Sequence, residues 1–237
     1  MVATLDGVRK TSPETAAATR RGPGRPRRDA GAPPTRERIL VAATDLFAER
    51  GADGVAMRDI AERVGIDVSS VHHHFPTKAG LLDACFARVF AAERDALDAD
   101  VDALRSALVT GDRADALAAL HQLVETFVTF LEDHPHTTFL WLRRWLDPTA
   151  DTPLDEAYAL PIYSRVEDAL LAAGGRGLLA EPTPHVTVRS LVWATHGHVT
   201  SLAAAGRDGV GAARERREFR AFVHRFIDRL YPDASPS

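Results

Sequence analysis

The sequence predicts an all-α protein, and three observations carry that expectation. Every patterned stretch beyond residue 34 repeats its apolar residues at intervals of three and four. No stretch alternates apolar and polar residues as a half-buried strand would, and no segment repeats another. Finally, Met57–Lys78, MRDIAERVGIDVSSVHHHFPTK, reads as two short helices set at a fixed angle by a tight turn, a helix-turn-helix.

The first residues, Met1–Pro34, are rich in Ala, Thr, Gly and Pro and show no apolar period, so an unstructured arm is expected. Within it Arg20–Arg28, RRGPGRPRR, has five arginines, no acid and a Gly-Arg-Pro core. That core resembles an AT-hook, which slides arginines such as Arg25 and Arg27 into a narrow A·T-rich minor groove. A plain basic linker is the alternative. Thr35 is expected to cap a first helix with Ile39, Ala43, Leu46 and Phe47 on one face, ended by Gly51.

A second helix places Ile60, Ala61 and Val64 on one stripe and ends at Gly65, where a left-handed residue is wanted. Asp67 is expected to cap the third, whose buried face is Val71 and Phe75. This leaves Val68, Ser69, Ser70, His72, His73 and His74 as the residues that can meet base edges, with Arg58 beside them. Pro76 stops the helix. Thr77 then caps a long one, and its first residue, Lys78, sits where charge and backbone N–H groups can grip a phosphate together.

The run GIDVSSVHHHFPTKAGLL resembles the recognition segment of TetR-family bacterial transcriptional regulators, and the likeness continues upstream to Thr35. Past Leu82 the helical architecture alone is similar. The resemblance implies an arm over 1–34, a DNA-binding domain over 35–82 and a ligand-binding and dimerisation domain over 83–237. Two positions depart from the family pattern: Ala56 stands where Ser or Thr usually caps the second helix, and His72 where Tyr is usual, which makes charge at that site depend on pH.

Charge is distributed in keeping with this division. Although the chain carries a net −4, residues 1–82 hold 13 Lys+Arg against 10 Asp+Glu, and the remainder is acidic. With its single cysteine, Cys85, the chain has no internal disulfide and none of the common multi-cysteine zinc sites. No basic-then-apolar leader follows Met1 and no apolar run is long enough to span a membrane, so a soluble cytoplasmic protein with no membrane partner is expected.

The long helix from Thr77 runs at least to Ala92, and its period continues through Leu97, Val101, Leu104 and Leu108. Further helices are expected over Ala114–Asp133, Thr137–Leu146, Asp155–Ala173 with Pro161 as a kink or fresh start and Gly174-Gly175 closing it, Pro184–Ala205 and Ala213–Leu230. The wide apolar stripes of the last two fit the family's dimer interface, a four-helix bundle from two subunits; an intramolecular core is the alternative.

Chemistry beyond binding finds little support. His72-His73-His74 diverge around a helix rather than converging on a metal, as do His196 and His198; His134 and His136 lack a third ligand. No nucleophile elbow, P-loop or dinucleotide fingerprint occurs, so neither an enzyme nor a cofactor is expected. The aromatic and polar residues of the large domain are instead candidates for an effector pocket: Phe90, Phe127, Phe130, Trp141, Trp145, Tyr158, Tyr163, Trp193 and His196. Arg143 and Arg144 are candidate guides for an anionic ligand, or surface charges beside Asp147. The resulting expectation is a homodimeric regulator, a repressor by default, that binds a palindromic double-stranded operator and is released by an unidentified small molecule. A ligand-independent activator or architectural protein is the competing one.

Overall fold

The computed structural model describes residues 33–146, 154–179, 183–206 and 209–232. From Pro34 onward they belong to one compact unit, built of α-helices with no strand among the described residues. The order is α1 (Thr35–Arg50), α2 (Met57–Val64), α3 (Val68–His74), α4 (Lys78–Thr110), α5 (Arg113–Asp133), α6 (Pro135–Leu146), a π-helical turn (Asp155–Ala159), α7 (Leu160–Gly175), α8 (Pro184–Ala205) and α9 (Val210–Leu230). The arm, with Arg25 and Arg27, lies outside the described residues.

Two of the expected caps are absent. Helix α1 begins after Pro34, not Thr35; the Pro34 carbonyl accepts from the N–H groups of Glu37 and Arg38, and no side chain caps the turn. Asp67 occupies the N-cap position of α3, yet its carboxylate accepts no cap hydrogen bond, and its backbone carbonyl receives Ser70 and Val71 instead. Conversely, the end left uncapped by Ala56 is partly satisfied from inside the helix, because the Asp59 carboxylate accepts the Ala56 N–H at 2.8 Å. Thr77 does cap α4, accepting from the Gly80 N–H at 3.1 Å.

Two large apolar cores lie along α4, with a smaller cluster of Phe130, Leu131 and Val199 packed against Ala96. The first joins Ile39, Leu46 and Phe47 of α1 to Ile60, Val71, Leu81 and Phe86. It does not stop at Leu82, for Cys85 and Val89 of α4 and Leu140 and Trp141 of α6 are part of it. Burial pushes the Cys85 thiol up to about 11, so it is inert packing. The second core holds Leu97, Val101, Leu104 and Leu108 of α4 against α5, α7, α8 and α9. Helix α4 has 33 residues and so extends about 50 Å at 1.5 Å per residue.

The end of α7 differs from the sequence expectation. Gly174 and Gly175 remain helical, and the left-handed residue is Gly177, with φ 71°. Pro161 starts α7 afresh after the π-helical turn, where its missing N–H costs nothing. Helix α9 begins at Val210, three residues ahead of the expected Ala213.

Candidate functional site

Gly65 sets the angle between α2 and α3. It adopts φ 73°, ψ 44°, a left-handed conformation that side chains with a Cβ resist, and the Ile66 N–H returns to the Ala61 carbonyl at 3.0 Å. Val71, fully buried, and Phe75 then seat α3 on the first core. Its opposite face is left to solvent. Val68 is 41% exposed, Ser69, His72 and His73 are exposed, and Ser70 and His74 are half-buried. Arg58, the second residue of α2, is exposed.

Lys78 is half-buried and donates its Nζ to the Ala52 carbonyl at 3.0 Å, which ties the start of α4 to the loop after α1. Two of its three donors remain for a phosphate. Sequence reasoning passed over Arg36, whose guanidinium lies 4.9 Å from the centre of the Phe75 ring and so places a positive charge at the end of α3. An arginine in the first turn of α1 and an aromatic before Pro76 were the signal that could have found it. Arg38 closes the other end of the motif by donating to the Val64 carbonyl at 2.6 Å.

The second feature is an apolar cavity of about 70 Å³ lined by α4, α5, α7, α8, α9 and Tyr231. Of the nine aromatic and polar candidates, Phe127 and Tyr163 line it. Phe90, Phe130, Trp141, Trp145, Tyr158, Trp193 and His196 lie outside its lining. Many of these form a row of rings instead. Phe86 meets Trp141 edge-on at 4.8 Å, Trp141 stacks on Trp145 at 5.5 Å, and Trp145 meets Trp193 at 4.8 Å and His196 at 5.2 Å. The row ends where His196 meets Phe127 at 6.4 Å, on the cavity wall. Phe90 pairs with Tyr158, and Phe130 with His134. Sequence spacing gives the face of a helix but not which neighbour covers it, so it left the tryptophans as candidates for cavity lining or for core.

His196 is buried, with Nδ1 3.0 Å from Thr138 Oγ1, and burial lowers its pKa to about 4, so it is neutral near pH 7. The cavity also contains a residue the sequence reading missed. Glu93 lines it at 6% exposure. Its signal was present: Glu93, Leu97 and Val101 stand at i, i+4 and i+8, so an acid occupies an apolar stripe.

Arg143 is engaged within the protein. Its Nε donates to the Ala48 carbonyl at 2.8 Å, and it satisfies the last turn of α1 from α6. Glu132 of α5 joins α8 and α9. It accepts from Arg220 at 2.9 Å and pairs with His198 Nε2 at 2.8 Å. Burial would raise the Glu132 carboxyl, but the hydrogen bonds from His198 and Arg220 and the Arg220 charge outweigh it and hold its pKa below the ordinary value. Among the described residues no group of three His, Cys, Asp or Glu side chains is placed to hold a metal ion.

The pattern of bacterial regulatory proteins of the tetR family matches residues 39–85, from within α1 to the second turn of α4. Residues 39–85 are thus similar to the helix-turn-helix domain of that family. Over 46 residues it is 52% identical to an HTH-type transcriptional repressor of Mycobacterium tuberculosis, which is 19% of this chain and 24% of that one. Over 60 residues it is 35% identical to the class D tetracycline repressor protein of Escherichia coli, 25% of this chain and 28% of that protein. The matches thus span about a quarter of these curated relatives. The whole fold is similar to the transcriptional regulator FadR of Bacillus subtilis, solved in complex with stearoyl-CoA: TM-score 0.60 at 12% identity, covering 84% of this chain and 98% of that one. The TetR-type likeness past α4 is therefore one of fold. No helix among the described residues is long and apolar enough to cross a membrane.

Proposed function

We propose that the protein is an intracellular transcriptional repressor that binds a two-fold symmetric operator as a dimer and releases it when a small molecule enters the cavity. One observation carries the reading: a single helix, α4, has Lys78 in its first turn beside α3 and Glu93, Leu97 and Val101 on the cavity wall. A ligand that tilts α4 from the cavity end moves the DNA-reading end with it. In a dimer the two α3 helices must lie about 34–36 Å apart to enter successive major grooves on one face of the duplex. A change of a few ångströms breaks that match.

Dimerisation is assigned to α8 and α9, where Val186, Trp193 and Phe222 are about half exposed. Large apolar residues on a helix pair at the end of a bundle suit a second copy of the same pair. The FadR neighbour with its bound stearoyl-CoA supports reading the cavity as the effector site. The polar face of α3 supports the reading of sequence in the major groove, and no catalytic role is assigned.

The deciding experiment is selection of bound DNA from a random-sequence pool by the purified full chain. The expected consensus is two inverted half-sites one helical turn or a multiple apart. Enrichment of a single asymmetric site bound by one subunit, or of no sequence, overturns the proposal.

A further inference from the structure

Glu93 is the acidic side chain of a cavity whose described lining has no Lys, Arg or His. It is 94% buried by its 6% exposure, and among the described residues no side chain hydrogen-bonds its carboxyl. The rest of the lining is nearly all aliphatic and aromatic, with Leu97 and Val101 continuing the same face of α4. A carboxyl held in such a place without a partner is costly in the empty protein, because burial without a compensating hydrogen bond or charge is unfavourable. What it lacks is a donor, and a cationic donor answers both needs at once.

We infer that the cavity takes a small apolar molecule carrying one protonated amine, and that the ammonium binds the Glu93 carboxylate while the apolar body lies against Leu97, Val101, Val124 and Ile227. This rests on the reading of the cavity as an effector site. The chemistry separates the ligand classes. An anionic ligand meets no cation on the lining and brings a like charge beside Glu93. A neutral alcohol fills one hydrogen bond but leaves the carboxylate charge uncompensated. An ammonium provides the hydrogen bond and the opposite charge in a largely apolar site, where screening is weaker than in bulk water. At about 70 Å³ the cavity suits a short aliphatic chain.

Binding of an amine at this site has a pH signature. Burial alone pushes the Glu93 acid up to about 7, with no charged neighbour contributing. The other titratable groups facing the cavity are the phenols of Tyr163 from α7 and Tyr231 after α9; α5 contributes apolar side chains, and α8 apolar side chains and Thr187. The ammonium requires the ionised carboxylate. At pH 6 most Glu93 must first lose a proton, and at pH 8 nearly all has lost it, so the apparent affinity rises about tenfold across that interval.

The test is calorimetric titration of the full chain with hexylamine, hexanol and hexanoate at pH 6 and pH 8. Hexylamine is expected to bind best, about tenfold tighter at pH 8, and Glu93→Gln to lose both the preference for the amine and its pH dependence while still binding hexanol. Hexanoate binding as tightly as hexylamine, no binding of hexylamine, or an amine affinity unchanged in Glu93→Gln overturns the inference. If Glu93→Gln also loses hexanol, the wild-type profile decides, and one flat from pH 6 to 8 overturns it. Hexylamine that binds as expected yet leaves DNA affinity unchanged keeps the ligand class and removes the effector reading; failure of the ligand class alone leaves the operator-binding reading standing.

Discussion

Arg143 of α6 holds the C-terminal end of α1 through Ala48. Its Nε donates to the Ala48 carbonyl at 2.8 Å and a second guanidinium nitrogen donates to the Glu49 carbonyl at 2.5 Å. Both carbonyls belong to the last turn of a helix, which has no partners of its own there. Gly51 follows at φ 75°, turning the chain beneath the same guanidinium. Helix α6 therefore grips the DNA-binding helices directly, in parallel with α4. Replacing Arg143 by Ala is expected to lower stability by about 1–2 kcal/mol, as for loss of a charged hydrogen-bond donor. It is also expected to weaken the effect of a cavity ligand on DNA affinity. Chemical denaturation and DNA titrations with and without ligand check the two parts; a variant with full coupling would leave α4 as the whole route.

Lys78 is expected to act on phosphate. Lys78→Ala then lowers affinity for operator and for unrelated DNA alike, and the slope of log K against log salt falls by about 1. Competition binding across a salt series checks this. A variant that changes sequence preference at constant non-specific affinity would remove Lys78 from the phosphate role and leave the Ala52 tie as its function.

Deleting residues 1–34 is expected to keep the helical fold and weaken DNA binding. Six arginines leave with the arm, five of them in Arg20–Arg28, so the salt slope becomes shallower by the number that displaced counterions. An unchanged slope would mean that the arm links and does not bind.

Phe222→Glu is expected to give a monomer, since it places a charge where α9 exposes a large apolar ring. Sedimentation velocity reads the outcome directly. A variant that remains dimeric moves the interface away from this part of α9.

Two buried groups are expected to tilt stability with pH in opposite directions. His196 is held near 4 by burial against an ordinary 6.5, so the unfolded chain takes up a proton first and stability falls as pH drops from about 6.5 to 4. Glu93 is held near 7 against 4.5, so the unfolded chain loses its proton first and stability falls as pH rises from about 4.5 to 7. Each effect amounts to about 3 kcal/mol over its window. Relative to wild type, Glu93→Gln should gain stability at pH 8 and His196→Gln should become less sensitive to acid. Denaturation midpoints from pH 4 to 8 measure both; equal pH slopes in the two variants would contradict them.

The parts of the fold that sequence made legible are those fixed by local chemistry. Gly65 with its left-handed turn and the limits Pro184–Ala205 of α8 are set by residues that allow few alternatives. Caps were less legible, because Asp67 and Thr35 are suitable residues whose hydrogen bonds depend on where the preceding chain enters the helix. Ligand-site geometry was least legible. Trp141, Trp145 and Trp193 have the same period whether they face a cavity or one another, and tertiary packing decided between the two. Glu93 stood in plain view within the α4 stripe, but composition alone makes an acid in a long helix look like part of its solvated face.

The row of rings that crosses from α6 to α8 has an optical consequence. The chain has three tryptophans, and all three are in that row, with neighbouring centroids 5.5 Å and 4.8 Å apart. At such separations indoles share excitation energy, and His196 lies against the central one at 5.2 Å. Ultraviolet emission from the whole molecule is therefore a reading of one joint, α6 against α8, with no contribution from indoles elsewhere. Any event that shifts these two helices by an ångström changes the spectrum of the intact, unlabelled protein.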